Sequence, residues 1–297
     1  MTALRAHRRG GPEVLVVERA PVPVPAAGEV LLAVRAAATT FDELTWEETW
    51  ARTPVIPSHE VSGCVYEIGA GVAHFEPGDE VYGLIDFDRD GAAADFVAVP
   101  ASDLASKPSS ISHAEAAALP LAGLTALQAL VDHAAVQPGE SLLVHGGAGG
   151  VGALVVQLAA RYGAHVTATI RSDAADLVRG FGAERVIDVR TESFEGSGPY
   201  DVIVDTVGGE TLQRSFAVLR GGGRLVTLSG PPPAGTTAMF FIVTPNREQL
   251  AELAALVDSG RLRVPIAETF PLAEGREAFE SGRRRDRRPG KTVLVVS

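Results

Sequence analysis

Short runs of alternating or continuously apolar residues fill the first hundred positions. They read LRAHRRGGPEVLVVERAP, EVLLAVRAAA, EVSGCVYEIGAGV, DEVYGLI and DFVAVPA. PVPVPAAG, PGD and DGA separate them, and their Pro and Gly residues break strand ladders. The pattern predicts a β-rich, barrel-like or sandwich module. Near residue 112 the texture changes to SHAEAAALPLAGLTALQALVDHAAV, which has helical spacing interrupted at Pro120 and Gly123. Strands and helices then alternate: SLLVHG, VGALVVQLAARYG, HVTATI, DAADLVRGFGA, RVIDV, YDVIVDTVG, GETLQRSFAVLRGGG and RLVTLSG. Apolar strands alternating with helices predict an α/β domain with a parallel sheet covered on both faces. After PNREQLAELAALVDSG the short strands return in RVPIAETFPL and KTVLVVS. The expected organisation is a β-rich domain over 1–113, an α/β domain inserted over 114–262, and a return to the first domain over 263–297.

Composition narrows the function classes. A chain of 297 residues, 46% hydrophobic and 21% charged, suits two folded domains. The net charge of −11 argues against a nucleic-acid partner or an anionic membrane surface. The basic run RRRDRR over 283–288 reads as a solvated loop. Cys64 is the sole cysteine, so no internal disulfide forms. No apolar run reaches the ~20 residues that span a bilayer, and the N-terminus lacks a signal-peptide pattern. A soluble cytoplasmic protein acting on a small molecule is expected.

The most informative stretch is SLLVHGGAGGVGALVVQLAARYG. Gly147, Gly149 and Gly152 form G-x-G-x-x-G between a predicted strand and a predicted helix, the context that gives this motif its meaning. Gly147 allows a tight turn, Gly149 a close approach to a pyrophosphate, and Gly152 the packing of helix on strand. Backbone amides from Ala148 through Gly149 and Gly150 to Val151 would face phosphates at a helix N-terminus. A ligand-free glycine turn is the competing reading. The end of the next strand sets the choice of nucleotide. NAD sites place a carboxylate there, whereas HVTATIRSD places Arg171 and Ser172. A guanidinium and a hydroxyl suit a 2′-phosphate, so NADP(H) is the expected cofactor. Arg171 as a solvated loop residue, with Ser172 or Asp173 capping the next helix, is the plainer alternative.

These motifs, with HEVSGCVYEIGAGVAHFEPGDEVYG, YDVIVDTVGG, GGGRLVTLSG and GKTVLVV, resemble the medium-chain dehydrogenase/reductases nearly end to end. The resemblance is to their zinc-independent quinone oxidoreductase-like branch. It implies a GroES-like catalytic domain, a Rossmann doubly wound parallel-sheet domain and a cofactor in the cleft between them. It also implies that Thr125, Thr206, Val207, Gly208, Leu228, Ser229, Gly230, Phe240, Phe241 and Ile242 lie near the cofactor.

PSHEVSG, residues 57–63, poses the question of metal. In zinc-dependent relatives a His before a Glu here is a zinc ligand. Catalytic zinc needs three protein ligands. No Cys stands in AAATTFDEL around Thr40, and AAALPLAGLTALQALV contains no Asp, Glu, Cys or His. No metal is expected, and His59 reads as structural or cleft-lining. Without zinc to polarise an alcohol, reduction of an activated acceptor is the accessible chemistry. The expected reaction is hydride transfer from NADPH to a quinone or an enone. Thr40, Asp42 and His59 are the candidate proton-handling residues. In FDELTWEETWARTP, Trp46 and Trp50 are four apart and would share a helix face. With Phe41 they are candidates for an aromatic wall against a flat substrate. A metal-dependent alcohol dehydrogenase with substituted ligands and a non-catalytic NADPH-binding regulator remain open. The apolar AMFFIVTP predicts a strand covered on both faces; the resemblance implies that it lies at the sheet edge, where pairing with a second copy would give a homodimer.

Overall fold

The computed structural model describes residues 1–284 and 286–297. The chain packs as two compact units, Met1–Leu124 with Thr244–Ser297, and Thr125–Val243. Residues 114–124 and 244–262, grouped above with the α/β domain, therefore pack with the β-rich unit.

The first unit opens with β1 (Thr2–Ala6) and β2 (Leu15–Arg19), an antiparallel pair. β3 (Glu29–Ala38), β4 (Glu60–Ile68), β5 (Glu80–Leu84), β6 (Phe96–Pro100) and β7 (Leu104–Ser106) follow. β3 pairs antiparallel with both β4 and β6, β4 with β5, and β5 with β7. Alternate side chains from these strands build one core, including Leu4, Val30, Leu32, Val61 and Val81, which Phe279 from near the C-terminus joins. Fully burying each branched or aromatic side chain contributes about 1.5–3 kcal/mol.

The helical stretch from 112 onward divides as its sequence suggests. Helix α1 (His113–Ala117) begins at a capping box in which the Ser112 hydroxyl accepts the Glu115 amide at 3.3 Å and the Glu115 carboxylate accepts the Ser112 amide at 2.9 Å. Pro120 opens α2 (Pro120–Gln128), where its missing N–H costs nothing. Gly123 does not interrupt that helix. A Cβ there would lie 2.7 Å from Leu253 Cδ1, so glycine permits close packing against a later helix.

The second unit is the parallel sheet. Its strands are β8 (Ser141–His145), β9 (His165–Ile170), β10 (Arg185–Asp188), β11 (Tyr200–Asp205), β12 (Leu219–Thr227) and β13 (Met239–Phe240). Among the described residues the order is β10-β9-β8-β11-β12-β13, with every pairing parallel. Helices α3 (Gly150–Arg161), α4 (Ala175–Gly180) and α5 (Gly209–Ser215) connect successive strands. Helix α3 buries residues on nearly every face, from Gly152 to Ala159, as a sequence apolar there but for Gln157 requires. Strand order reverses between β8 and β11. In such sheets the crevice at that reversal, beyond the strands' C-terminal ends, is where nucleotides bind.

The expected strand over AMFFIVTP is shorter than its composition suggests. Only Met239 and Phe240 pair with β12, and Met239 and Ile242 are 44% and 52% exposed rather than covered. Two constraints shorten it. β12 ends at Thr227, and Pro245 has no amide to extend a ladder.

The chain then rejoins the first unit through α6 (Arg247–Asp258), β14 (Ile266–Pro271), α7 (Gly275–Glu280) and β15 (Lys291–Val295). β15 pairs antiparallel with β3 and parallel with β14. Asp258 accepts the Ser110 amide at 2.8 Å, and Tyr82 donates to the Leu250 carbonyl at 2.5 Å, tying α6 to this unit. No helix among the described residues is long and apolar enough to cross a membrane.

Candidate functional site

The nucleotide-binding candidates converge at the strand-order reversal. After β8 the chain turns through Gly146, whose φ of 77° is left-handed and favours glycine. The tight turn therefore sits at Gly146, one residue before the motif's first glycine. Gly147 answers a different need, since a Cβ there would lie 2.8 Å from the Ala168 Cβ on β9. At Gly152 a Cβ would meet the Gly146 carbonyl oxygen at 2.2 Å, so the first turn of α3 packs directly on the loop. Gly149 caps α3, and the first turn of that helix carries no acidic residue. The amides of Gly150, Val151 and Gly152 have no intrahelical acceptor and suit an anion. Ala148 completes this loop.

Beyond β9, Arg171 is exposed. Ser172 Oγ is buried without a hydrogen-bond partner among the described residues. Asp173, which would repel a phosphate, is held by Arg190 at 2.5 Å. Arg190 also binds Asp188 at 2.6 Å, and these two carboxylates keep its guanidinium strongly protonated. The strand end thus offers the exposed Arg171 guanidinium and a buried hydroxyl without a partner among the described residues, with Arg190 shared between Asp173 and Asp188. The residues present fit a phosphorylated dinucleotide.

Asp205, at the end of β11, organises the second strip. It is fully buried. Its carboxylate accepts the amides of Val207 and Gly208 at 3.1 Å and the Thr227 hydroxyl at 3.1 Å. Thr206 Oγ1 donates to the His145 carbonyl at 2.8 Å, joining this turn to the end of β8. Gly208 has a φ of 74° and lies against Ser229. The Leu228 amide donates to the Asp205 carbonyl at 2.8 Å, which brings Leu228, Ser229 and Gly230 alongside. Phe240 lies in β13, and Phe241 faces the His133 ring at 4.0 Å between centroids. Thr125 is buried, its Oγ1 also without a partner among the described residues. Asp205 escaped the sequence reading, although a carboxylate three residues before a Gly-Gly turn is a visible signal.

His145 sits beneath this strip. It is wholly buried between Thr169 Oγ1 at 3.0 Å and Ser215 Oγ at 2.9 Å. Burial pulls its pKa down to about 4, so it is neutral at pH 7.

The catalytic candidates belong to the first unit. His59 is buried. Its Nδ1 lies 2.8 Å from Glu43 Oε2 and its Nε2 3.2 Å from the Arg89 carbonyl oxygen. The Ser58 amide donates to both Glu43 oxygens at 3.0 Å. Both ring nitrogens are thus engaged by the protein, and the residues around His59 do not fit a metal ion. Glu60 pairs with Lys291 and accepts the Leu121 amide at 3.0 Å. Burial pushes the Glu60 carboxyl above the usual carboxylate range, against the pull of the Lys291 ammonium. Lys291 Nζ also donates to Thr40 Oγ1 at 3.3 Å. Lys291 was not singled out from sequence, because it stands 251 positions from Thr40. Asp42 is exposed, and Arg287 stacks on the Phe41 ring at 4.2 Å. Arg285, in the same basic run, lies outside the described residues.

The aromatic segment departs from expectation. Residues 43–45 and 48–51 are separate single 3-10 turns, so Trp46 and Trp50 do not share a helix face. Trp50 has non-helical dihedrals, packs against the core and donates to the Leu44 carbonyl at 2.9 Å. Trp46 remains half-exposed, edge-on to Phe87 at 5.1 Å. Engagement of Glu43 by Ser58 and His59 fixes the first turn independently of the second.

Comparison with known proteins agrees with this architecture. Residues 26–109 match the alcohol dehydrogenase GroES-like domain, and residues 181–294 match a zinc-binding dehydrogenase family. The chain is 30% identical to the mitochondrial NAD(P)H oxidoreductase RTN4IP1 of Danio rerio, over 86% of this chain and 76% of the relative. It is 35% identical to the chloroplastic NADPH-dependent alkenal/one oxidoreductase of Arabidopsis thaliana, over 91% of this chain and 73% of the relative. The quinone oxidoreductase structure from Coxiella burnetii superposes with a TM-score of 0.92 at 30% identity, covering 100% of this chain and 99% of that one. The chain belongs to the medium-chain dehydrogenase/reductase superfamily, among its quinone oxidoreductase-like members. It is an oxidoreductase with a nicotinamide cofactor.

Proposed function

We propose that the chain is a zinc-independent, NADPH-dependent reductase delivering hydride to a quinone or an α,β-unsaturated carbonyl compound. The observation that carries the reading is the end of β9. Arg171 is exposed there, Ser172 Oγ is buried without a partner among the described residues, and Asp173 is paired with Arg190, which Asp188 also binds. Those groups suit a 2′-phosphate better than free ribose hydroxyls. The alkenal/one specificity of the Arabidopsis relative and the quinone oxidoreductase from Coxiella support the substrate class.

The cofactor, when bound, supplies the hydride. The chain's own residues hold it and manage the proton. The glycine loop and the first turn of α3 take the pyrophosphate, and Arg171 and Ser172 take the 2′-phosphate. Thr40 is the proposed proton donor. Its oxygen accepts from the Lys291 ammonium, leaving the hydroxyl proton directed elsewhere and the hydroxyl more acidic. Glu60 keeps Lys291 in position. His59 holds the Glu43 loop, and Asp42 supplies exposed negative charge beside it. Phe41 and Trp46 offer aromatic surface to a flat substrate, with Trp50 supporting them from the core. The acidic composition and single cysteine support a cytoplasmic location.

The test is NADPH oxidation against quinones, enones and aldehydes, with and without a chelator. Turnover on quinones or enones, unchanged by the chelator, is expected. Arg171→Ala should weaken NADPH at least tenfold while leaving NADH nearly unaffected. Turnover confined to alcohols and abolished by the chelator would instead favour a metal-dependent dehydrogenase. Cofactor binding with no turnover on any acceptor would favour a regulator.

We also propose a homodimer joined along the edge at β13, where Met239 and Ile242 are exposed beside a strand paired on one side. Light scattering should give a mass near twice 30.9 kDa, and Ile242→Asp should shift it toward one chain. A monomeric mass for the unmodified protein would refute this assembly.

A further inference from the structure

Cys64, Glu80 and His113 take no part in the reading above, yet their donor atoms converge. Cys64 on β4 and Glu80 on β5 are directly opposed in an antiparallel pair, so their side chains share one face. His113 opens α1, which packs on both strands. One donor atom from each residue, the Cys64 sulfur, a Glu80 oxygen and a His113 ring nitrogen, lies within 4.8 Å of the other two. Donors around tetrahedral zinc stand about 3.3–3.8 Å apart, so small side-chain rotations close the set.

The surroundings match what a metal-bound imidazole requires. Ser62, two positions before Cys64 and on the same face of β4, holds His113 Nδ1 at 2.8 Å. That contact fixes the ring and leaves Nε2 turned toward Glu80 Oε1 at 3.2 Å. Anchoring the far nitrogen in this way orients histidine ligands. Lys107 Nζ touches the other Glu80 oxygen at 3.3 Å and is tied to the carbonyls of Pro108 and Ile111 at 2.9 and 2.8 Å. It thus binds Oε2, while Oε1 faces His113 Nε2, where an ion between the two would replace that contact. The His113 side chain is 21% exposed and that of Glu80 55%, so an ion reaches the cluster from solvent.

We propose that Cys64, Glu80 and His113 form a binding site for a divalent zinc ion, with water completing the coordination. A soft thiolate and a borderline imidazole suit zinc, which also takes carboxylate oxygen, whereas calcium and magnesium favour oxygen-only sets. On binding, Cys64 releases its thiol proton to solvent and its sulfur lone pair binds the metal. The site shares no residue with the His59–Glu43 pair, and turnover does not depend on it.

Metal-stripped full-length protein titrated with zinc chloride should bind one equivalent. Cys64→Ser and His113→Gln should each weaken binding at least tenfold, and cobalt chloride should give a thiolate-to-cobalt absorption band that Cys64→Ser abolishes. No binding by the unmodified chain, or equal binding by the variants, overturns the proposal. If a variant misfolds, the unmodified chain decides, because Cys64 is its sole thiol. One equivalent of zinc should slow reaction of that thiol with a disulfide reagent at least tenfold. An unchanged rate overturns the site, and no outcome here bears on the cofactor or substrate.

Discussion

Replacing Asp205 by Ala is expected to destabilise the protein by about 3–5 kcal/mol and to weaken NADPH at least tenfold. The carboxylate is fully buried and receives the amides of Val207 and Gly208 together with the Thr227 hydroxyl. Alanine removes the acceptor from the buried Gly208 amide, the part-buried Val207 amide and the buried Thr227 hydroxyl, of which the hydroxyl keeps Ser229 Oγ at 3.2 Å. Each such donor costs about 1–3 kcal/mol, and water filling the vacated volume offsets part of the sum. The functional loss follows from geometry. Those two amides shape the Thr206–Gly208 turn, which stands beside the glycine loop through the bond from Thr206 to the His145 carbonyl. Denaturant unfolding and NADPH titration of the variant read both effects. Asp205→Asn keeps one acceptor oxygen and should recover part of the stability. A destabilisation below about 1 kcal/mol for the alanine variant would show that the carboxylate does not organise this turn.

Acid should destabilise the protein through His145 by an amount of similar order. The pKa of this ring falls to about 4 on folding because burial disfavours its charged form. An unfolded histidine titrates near ~6.5. Between those values the unfolded chain binds a proton that the folded chain refuses. Stability is therefore retained above the unfolded value and lost as pH falls toward the folded one. The loss from this group is about 3 kcal/mol across the window. Carboxylates also titrate toward the lower end, so the informative quantity is the difference from His145→Gln, which cannot titrate. Urea unfolding of both proteins from pH 7 to pH 4 should give curves that diverge at high pH and approach one another as the pH drops. Parallel curves would mean that folding does not lower the pKa of His145.

Much of this molecule was legible in its amino-acid order because the relevant physics is local. The apolar runs HVTATI and YDVIVD had to be strands buried on both faces, and each is one. The glycine motif had to link a strand to a helix, since only glycine tolerates the 2.2 Å approach that a side chain at residue 152 would make to the loop. The basic strand end after Ile170 was equally plain, because it depends on neighbours in sequence. Where the local rule met a longer-range demand, it failed. Helical spacing of Trp46 and Trp50 yielded to Glu43, which is drawn to Ser58 and His59. The apolar run at 238–245 predicted a full strand, but β12 offers it only two partners.

The sequence by itself determined two kinds of unit, a parallel sheet built for a dinucleotide and a discontinuous β-rich module. Hydrophobic period and glycine placement are properties of neighbouring residues, and they suffice for that. Only the tertiary structure decided that both nitrogens of His59 are occupied, that Asp173 pairs with Arg190, that Lys291 reaches Thr40, and that Cys64, Glu80 and His113 meet. Each of these joins residues brought together by strand pairing or loop closure. Hydrogen bonding and ion pairing act over a few ångströms in space, whatever the separation along the chain.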